Sequence, residues 1–152
     1  MIINIDQIKE LRSQTGVSVM ECKKALEEAG ADLKKAKEIL RKIGAAVLEK
    51  KQGKEAREGR VEAYIHLTGK IGAVIVVSCE TDFVARTEDF KNLAHELAMQ
   101  VAAMNPKDTK ELLNQPYIRD ITKTVGDFLN EEVAKLGEKI EVREFKRFEI
   151  AK

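Results

Sequence analysis

Apolar residues in the first 44 positions recur at three- and four-residue spacing, in groups separated by glycines. Ser18-Val19-Met20-Glu21 has the sequence of a capping box and opens the second group. Asp32 can cap the third group, and Gly44 is predicted to end it. The spacing therefore predicts a compact three-helix module over residues 1–44. Its apolar face consists of Ile5, Ile8, Leu11, Cys22, Ala25, Leu26, Leu33, Ala36, Ile39, Leu40 and Ile43.

The next segment loses this apolar face and becomes strongly charged. From Glu49 onward, Lys, Glu and Arg follow one another without periodic apolar positions, which is typical of a solvated segment. We interpret residues 45–59 as a charged helical linker. Its basic side chains could contact phosphates, but the acidic residues between them favour a connector.

Apolar and polar residues alternate with a period of two from residue 60 onward. This alternation predicts a strand with one apolar face and one wet face. The continuous apolar run over residues 71–79 predicts a second, buried strand, and Thr68-Gly69-Lys70 would join the two as a hairpin. The residues expected on the apolar face of the first strand are Val61, Ala63, Ile65 and Leu67.

Two helices and a last strand complete the predicted core. One helix opens near Thr87 and ends before Pro106, and a second carries Ile121 and ends at Gly137. The last strand spans residues 140–150, with a bulge near Glu144 where the alternation slips. This order of elements predicts an α+β domain with a small antiparallel sheet over residues 60–152.

The charge balance and the low aromatic content narrow the possible functions. The chain has 27 Lys and Arg against 26 Asp and Glu, a formal net charge of +1, so no broad positive field indicates nucleic acid. Aromatic residues make up 5% of the chain, without Trp, which argues against a base-stacking surface. These features favour a protein as the partner.

The cysteines and the hydropathy indicate the cellular compartment. Cys22 and Cys79 have no Cys or His at metal-ligand spacing, and we expect both to be buried free thiols, as in a reducing cytoplasm. The amino-terminal sequence lacks the pattern of a signal peptide, and no apolar run is long enough for a membrane span. We therefore expect a cytoplasmic protein without a membrane partner.

The residues form no recognisable catalytic or metal-binding motif. His66 and His95 fall on the polar faces of their elements, so we expect both to be exposed. Gly69-Lys70-Ile71-Gly72 lacks the helix start and the hydroxyl residue of a phosphate loop. The carboxylates are interspersed with lysines, as on solvated faces. We therefore expect no enzyme activity, no cofactor and no bound metal.

The segment Thr81-Asp82-Phe83-Val84-Ala85 directly follows the predicted buried strand. Loops held by a rigid element often carry binding residues, and an acid beside an aromatic suits contact with a partner better than catalysis. Taken alone, however, these residue types favour a Phe83 packed in its own core and an Asp82 that caps the next turn. Contact with a partner is the alternative that the residues by themselves leave open.

The sequence around this segment resembles the bacterial elongation factor Ts family, the nucleotide exchange factors of elongation factor Tu. Several motifs in the same order along nearly the whole chain are more specific than any one of them. The matching motifs are Leu11-Arg12, Thr15-Gly16-Val17, Met20–Leu26, Leu40–Gly44, Gly72-Ala73-Val74, Cys79–Arg86, Phe90, Leu112–Tyr117, Thr124-Val125 and Lys135–Glu138.

The resemblance implies a fold and a mechanism. The fold is a module like a ubiquitin-associated domain, a linker, and a core with a three-stranded antiparallel sheet. In the mechanism, Asp82 and Phe83 insert between helices of elongation factor Tu near its magnesium site and promote GDP release, while Thr81 and Val84 shape the segment. The partner would be bound in its GDP-bound and nucleotide-free states. The module residues implied to bind it are Lys9, Arg12, Val19 and Met20.

The chain also departs from the family pattern. It has one copy of the core and no internal repeat, so it resembles the short form of the family, which pairs as a homodimer. The family motif Gly-Glu-Asn-Ile is Gly137-Glu138-Lys139-Ile140 here, and Arg-Arg-Phe is Arg143-Glu144-Phe145. Lys139 and Glu144 therefore alter the charge near the last strand.

Two other functions fit the sequence. In the first, the helical module holds a protein or ubiquitin-like ligand and the α+β part serves as a dimerising scaffold. In the second, the basic residues of the segment 49–60 contact the ribosome or RNA, which would make binding strongly dependent on salt.

Overall fold

A computed structural model of the chain describes residues 2–151, which form two compact units. The first unit contains residues 2–52 together with Leu129–Glu138, and the second contains Gly53–Phe128 together with residues 139–151. The predicted α+β class with a three-stranded antiparallel sheet is confirmed. The elements are α1 Ile5–Thr15, α2 Val19–Glu28, α3 Leu33–Lys50, β1 Glu58–Ile65, β2 Ile71–Cys79, α4 Asp82–Ala85, α5 Glu88–Met104, α6 Thr109–Asn114, β3 Pro116–Tyr117, β4 Asp120–Thr124, α7 Val125–Leu136 and β5 Glu141–Glu149.

The helices of the first unit begin at side chains that satisfy their free backbone N–H groups. Asn4 and Gln7 form a reciprocal capping box at α1, Ser18 Oγ accepts from the Glu21 amide at 3.3 Å, and Asp32 accepts from the Lys35 amide at 3.1 Å. Such caps are worth about 1 kcal/mol each. The buried core of this unit consists of Leu11, Val17, Cys22, Ala25, Leu26, Ala36 and Leu40.

The prediction that Gly44 ends the third helix is wrong, because α3 continues to Lys50. Gly44 is buried, and a Cβ added there would lie 1.8 Å from the carbonyl oxygen of Asn130 in α7. The glycine therefore permits close approach of two helices within the first unit. Of the predicted helical linker, residues 45–50 are the end of α3, and residues 51–57 contain no helix.

The sheet of the second unit has the strand order β1-β2-β5 and is antiparallel throughout. Its register shifts between Val76 and Val77, opposite Arg143, which confirms the bulge predicted near Glu144. Ile75 and Val77 are fully buried on the face that α5 covers. The helix contributes to this core Phe90, Leu93, Ala94, Leu97, Ala98 and Val101.

The two faces of β1 are the reverse of the prediction. Val61 and Ile65, expected in the core, are 64% and 67% exposed, whereas Arg60 and Tyr64 are half-buried and the Tyr64 ring lies 5.8 Å from that of His95 in α5. Alternation defines two faces but not which of them is covered, and the long stems of Arg and Tyr can pack on apolar surface. The sheet therefore has an open apolar face.

The segment between α5 and α7 is also more ordered than predicted. The helix predicted to end at Gly137 is present as α7, but it begins at Val125, and its predicted start is wrong because Ile121 lies on β4 and is 79% exposed. The amide of Gln100, a fully buried side chain, donates to the Pro116 carbonyl at 3.0 Å and accepts from the Ile118 amide at 3.0 Å. This side chain therefore holds the β3–β4 hairpin against α5.

The cysteines and histidines lie as predicted. Cys22 and Cys79 are buried free thiols, and His66 and His95 are exposed. Burial raises the pKa of the Cys22 thiol, against the opposing effects of its hydrogen bond with Thr15 and the positive charge of Arg12.

Candidate functional site

The segment after β2 is a single helical turn, α4, rather than the predicted loop. Cys79 ends the strand inside the core, and its Sγ donates to the Thr81 carbonyl oxygen at 3.2 Å. Thr81 is the N-cap of α4, since its Oγ1 accepts from the Val84 amide at 3.2 Å. The start of the turn is thereby fixed to the end of a buried strand.

The other end of the turn is fixed as well. Val84 and Ala85 are buried. Thr87, predicted as a helix start, donates through Oγ1 to the Val84 carbonyl at 2.7 Å and accepts from the Phe90 amide at 3.1 Å as the N-cap of α5. One hydroxyl thus joins the end of α4 to the start of the longest helix in the second unit.

Phe83 projects from this fixed turn into solvent, with 83% of its surface exposed. The alternative in which Phe83 packs into its own core is therefore excluded. Burying a Phe side chain contributes about 1.5 to 3 kcal/mol. Because Phe83 is mostly exposed, the fold of this protein gains little of that free energy. This makes Phe83 available for contact with another molecule.

Asp82 does not cap the turn, because Thr81 occupies that position. Its carboxylate instead pairs with Arg86 Nε at 2.8 Å, and both side chains are largely exposed. A surface ion pair of this kind contributes about 0 to 1 kcal/mol, so its partners can be exchanged at little cost. Arg86 is not among the residues predicted for the site, although the four-residue spacing between Asp82 and Arg86 is the spacing of helical ion pairs.

The four other candidate residues lie in the first unit and present exposed side chains. Lys9 and Arg12 are exposed one turn apart on α1. Val19 and Met20 form the first turn of α2, and Met20 is 69% exposed. Since the Thr81–Val84 segment belongs to the second unit, the candidates form two separate sets.

Two other kinds of feature are absent from the described residues: a metal-binding cluster and a membrane-spanning helix. Between residues 2 and 151, no group of three or more His, Cys, Asp or Glu side chains is placed to hold a metal ion. Over the same span, no helix has the length and apolar character needed to cross a bilayer.

The fold and the site define an α+β protein that presents an exposed aromatic side chain on a rigid helical turn. The family model described as Elongation factor TS matches residues 80–152. Elongation factor Ts of Coprothermobacter proteolyticus is 41% identical, over 97% of this chain and 98% of the relative. That of Moorella thermoacetica is 44% identical over 94% and 93%, and that of Thermotoga maritima is 44% identical over 99% and 97%. The chain belongs to the elongation factor Ts family, which assigns it a role in translation elongation.

The same alignments identify a difference in length. The alignment with the Coprothermobacter protein runs over 193 positions, more than the 152 residues of this chain. Nearly all of both chains is covered, so the relative has internal residues without a counterpart here. This chain is therefore shorter than that relative within the aligned region.

Proposed function

We propose that this protein is the guanine-nucleotide exchange factor of elongation factor Tu, and that it binds this partner in its GDP-bound and nucleotide-free states. The observation that carries the proposal is the exposure of Phe83 on a turn fixed at both ends. The protein acts in the cytoplasm and is not an enzyme, since nucleotide release forms and breaks no covalent bond.

In the proposed mechanism, Thr81–Val84 insert between helices of the partner near its magnesium and nucleotide site. A rigid turn suits this task because little conformational entropy is lost when it docks. Asp82 and Phe83 are the inserting side chains, and Thr81 and Val84 hold their backbone. Binding of this protein and binding of GDP oppose each other, so each ligand weakens the other by the same factor.

A large acceleration of GDP release requires a second contact besides Phe83. Accelerating release about a thousandfold lowers the barrier by about 4 kcal/mol, whereas burying one Phe side chain supplies about 1.5 to 3 kcal/mol. Phe83 alone is therefore insufficient. We assign the second contact to the exposed residues of the first unit: Lys9, Arg12, Val19 and Met20.

The proposal is tested by stopped-flow fluorescence. Elongation factor Tu is loaded with a fluorescent GDP analogue and mixed with excess unlabelled GDP and increasing amounts of this protein. We expect the release rate to rise with concentration and to saturate. A release rate equal to the spontaneous rate at all concentrations would refute the proposal.

The second contact leads to a separate prediction for Met20. We expect Met20→Ala to raise the half-saturating concentration by about tenfold, since loss of an exposed Met from a contact removes about 1 to 2 kcal/mol, and to leave the maximal release rate nearly unchanged. Deleting residues 1–44 would be a poorer test, because residues 129–138 belong to the same unit and would lose their packing. Ile5→Ala, also at an exposed residue of this unit, is the control, and an equal effect of both variants would remove Met20 from the contact.

We also propose that the protein forms a homodimer through the open face of its sheet. Paired residues of antiparallel strands share a face, and the register places Val61, Val76 and Glu144 side by side. Two such sheets can pack face to face about 10 Å apart. The apolar residues of this face are Val61, Ala63, Ile65, Val74, Val76 and Phe148.

The dimer is tested by placing a charge on this face. We expect Ile65→Asp to convert the dimer to a monomer in sedimentation-velocity experiments, because a buried unpaired carboxylate is strongly unfavourable in an apolar interface. Ile121→Asp changes another largely exposed isoleucine, on β4, and should leave the mass unchanged. If the unmodified chain sediments as a monomer, or if both variants behave alike, the sheet face is not the interface.

A further inference from the structure

Glu80 is the residue between the end of β2 and the cap of α4, and its side chain is almost fully covered, with 10% of it exposed. Each carboxylate oxygen has a partner. Oε1 accepts from the backbone amide of Lys139 at 2.8 Å, and Oε2 pairs with the ammonium of Lys54 at 3.2 Å. This acid is therefore held from two directions just before the turn that presents Phe83.

Lys139 completes a closed set of contacts. Its side chain is 7% exposed, and its ammonium lies 2.8 Å from Glu141 Oε1 and donates to the carbonyl oxygen of Lys54 at 2.7 Å. Glu80, Lys54 and Lys139 thus form a ring in which each residue contacts the other two. The ring joins three segments that are far apart in the sequence, all within the second unit.

The turn needs such an external support. An isolated helical turn is unstable because fixing its backbone gains only one or two hydrogen bonds, and α4 has four residues. Its carboxyl end is tied to α5 through Thr87. At its amino end, the contacts of Cys79 and Glu80 help to connect it to the rest of the unit, together with the burial of Val84 and Ala85.

We propose that the ring of Glu80, Lys54 and Lys139 sets the position of α4, with Glu80 as the positioning residue for Phe83. The inference rests on the proposed exchange function for its effect on nucleotide release, but not for its effect on the motion of the turn. The side chain of Lys139 is long enough to reach the Lys54 carbonyl oxygen, which closes the ring.

The motion of the turn can be measured without the partner. The chain has no Trp, so Phe83→Trp introduces a single fluorescent reporter at the tip of α4. In that background, we expect Glu80→Gln to increase the amplitude of the fast component of time-resolved fluorescence anisotropy, because the amide loses the ionic contact with Lys54. Glu88→Gln, which neutralises a glutamate of an exposed ion pair in the same unit, should leave the decay unchanged.

The effect on function is measured with the natural Phe83 in place. We expect Glu80→Gln to lower the maximal rate of stimulated GDP release by about tenfold, because a small displacement of a functional side chain, here Phe83, has effects of this size. The half-saturating concentration should change less than about twofold. Lys54→Met, at a largely exposed side chain, should act in the same direction while leaving the buried Lys139 paired with Glu141. This second variant keeps the test valid if Glu80→Gln lowers the melting temperature.

The outcomes separate the two proposals. If both variants are folded and their anisotropy decays equal that of Glu88→Gln, the positioning role of the ring is refuted. A lower melting temperature with unchanged anisotropy and an unchanged maximal rate would make the ring purely structural, which also refutes the inference. If the unmodified chain fails to stimulate GDP release, the exchange function fails, while the anisotropy result still decides whether the ring positions the turn.

Discussion

Phe83→Ala is expected to leave the protein folded and to lower its maximal stimulation of GDP release by about tenfold to about a hundredfold. The range follows from the value of burying one Phe side chain, about 1.5 to 3 kcal/mol, at about 1.4 kcal/mol per factor of ten. Stability should change by less than about 0.5 kcal/mol, as for other exposed positions, because Phe83 is 83% exposed. Stopped-flow release and thermal unfolding measure the two quantities.

The control for this substitution is Ile121→Ala, which removes a side chain that is 79% exposed in the same unit. We expect wild-type release rates for it, since no proposed contact includes Ile121. If Phe83→Ala also releases GDP at the wild-type rate, Phe83 does not insert into the partner. A large loss of stability in Phe83→Ala would instead mean that the exposed ring supports the fold.

Gly44→Ala is expected to destabilise the first unit by about 3 kcal/mol or more. In an exposed helix the same change would stabilise by about 1 kcal/mol, because Ala has the higher helix propensity. At Gly44, however, the added Cβ would lie 1.8 Å from the carbonyl oxygen of Asn130 and 3.2 Å from the amide nitrogen of Ala134. Backbone atoms cannot rotate away as a side chain can, so α3 and the second half of α7 must separate.

Urea unfolding followed by circular dichroism measures this loss. Gly53→Ala is the matched control, since nothing lies within 4 Å of a Cβ at that position. We expect it to be neutral or to stabilise by about 0.4 to 1 kcal/mol through the unfolded chain. Equal or greater stability of Gly44→Ala would show that the two helices do not approach closely at this point.

Local signals in the sequence account for much of the secondary structure. Ser18, Asp32 and Thr87 each precede an apolar helical face, and each is an N-cap in the structure. The slip in alternation near Glu144 corresponds to a shift in register. These features depend on residues that are neighbours along the chain, and they can therefore be predicted from the sequence.

Features set by contacts between distant segments were not predictable in the same way. A glycine such as Gly44 is common at the end of a helix, which explains the prediction. Its role in the structure is to let α3 approach Asn130, which is distant in the sequence. The observed faces of β1 are the reverse of the predicted ones, because alternation does not specify which side of the strand α5 covers. The β3–β4 hairpin depends on Gln100, a polar residue buried in the apolar face of α5. The periodic spacing of apolar residues in α5 does not indicate that Gln100 contacts this hairpin.

The candidate site was predictable in part. Its position after a buried strand follows from the hydropathy, and its residues remain those that the family resemblance implies. The residue types alone left the direction of Phe83 open, and its exposure depends on the cap at Thr81 and the anchor at Val84. The sequence does not predict the proposed support of α4 by Lys139, because a charged residue in a β-rich segment is ordinarily exposed to solvent.

The most direct test of the exchange function is the affinity of this protein for elongation factor Tu with and without GDP, measured by titration calorimetry. Linkage requires that a factor which weakens GDP binding is itself bound more weakly when GDP is present. We expect the Kd for the nucleotide-free partner to be lower by about 5- to 150-fold, the usual range of such coupling. Equal values of Kd in the two states would contradict the account and would make this protein a binding module without exchange activity.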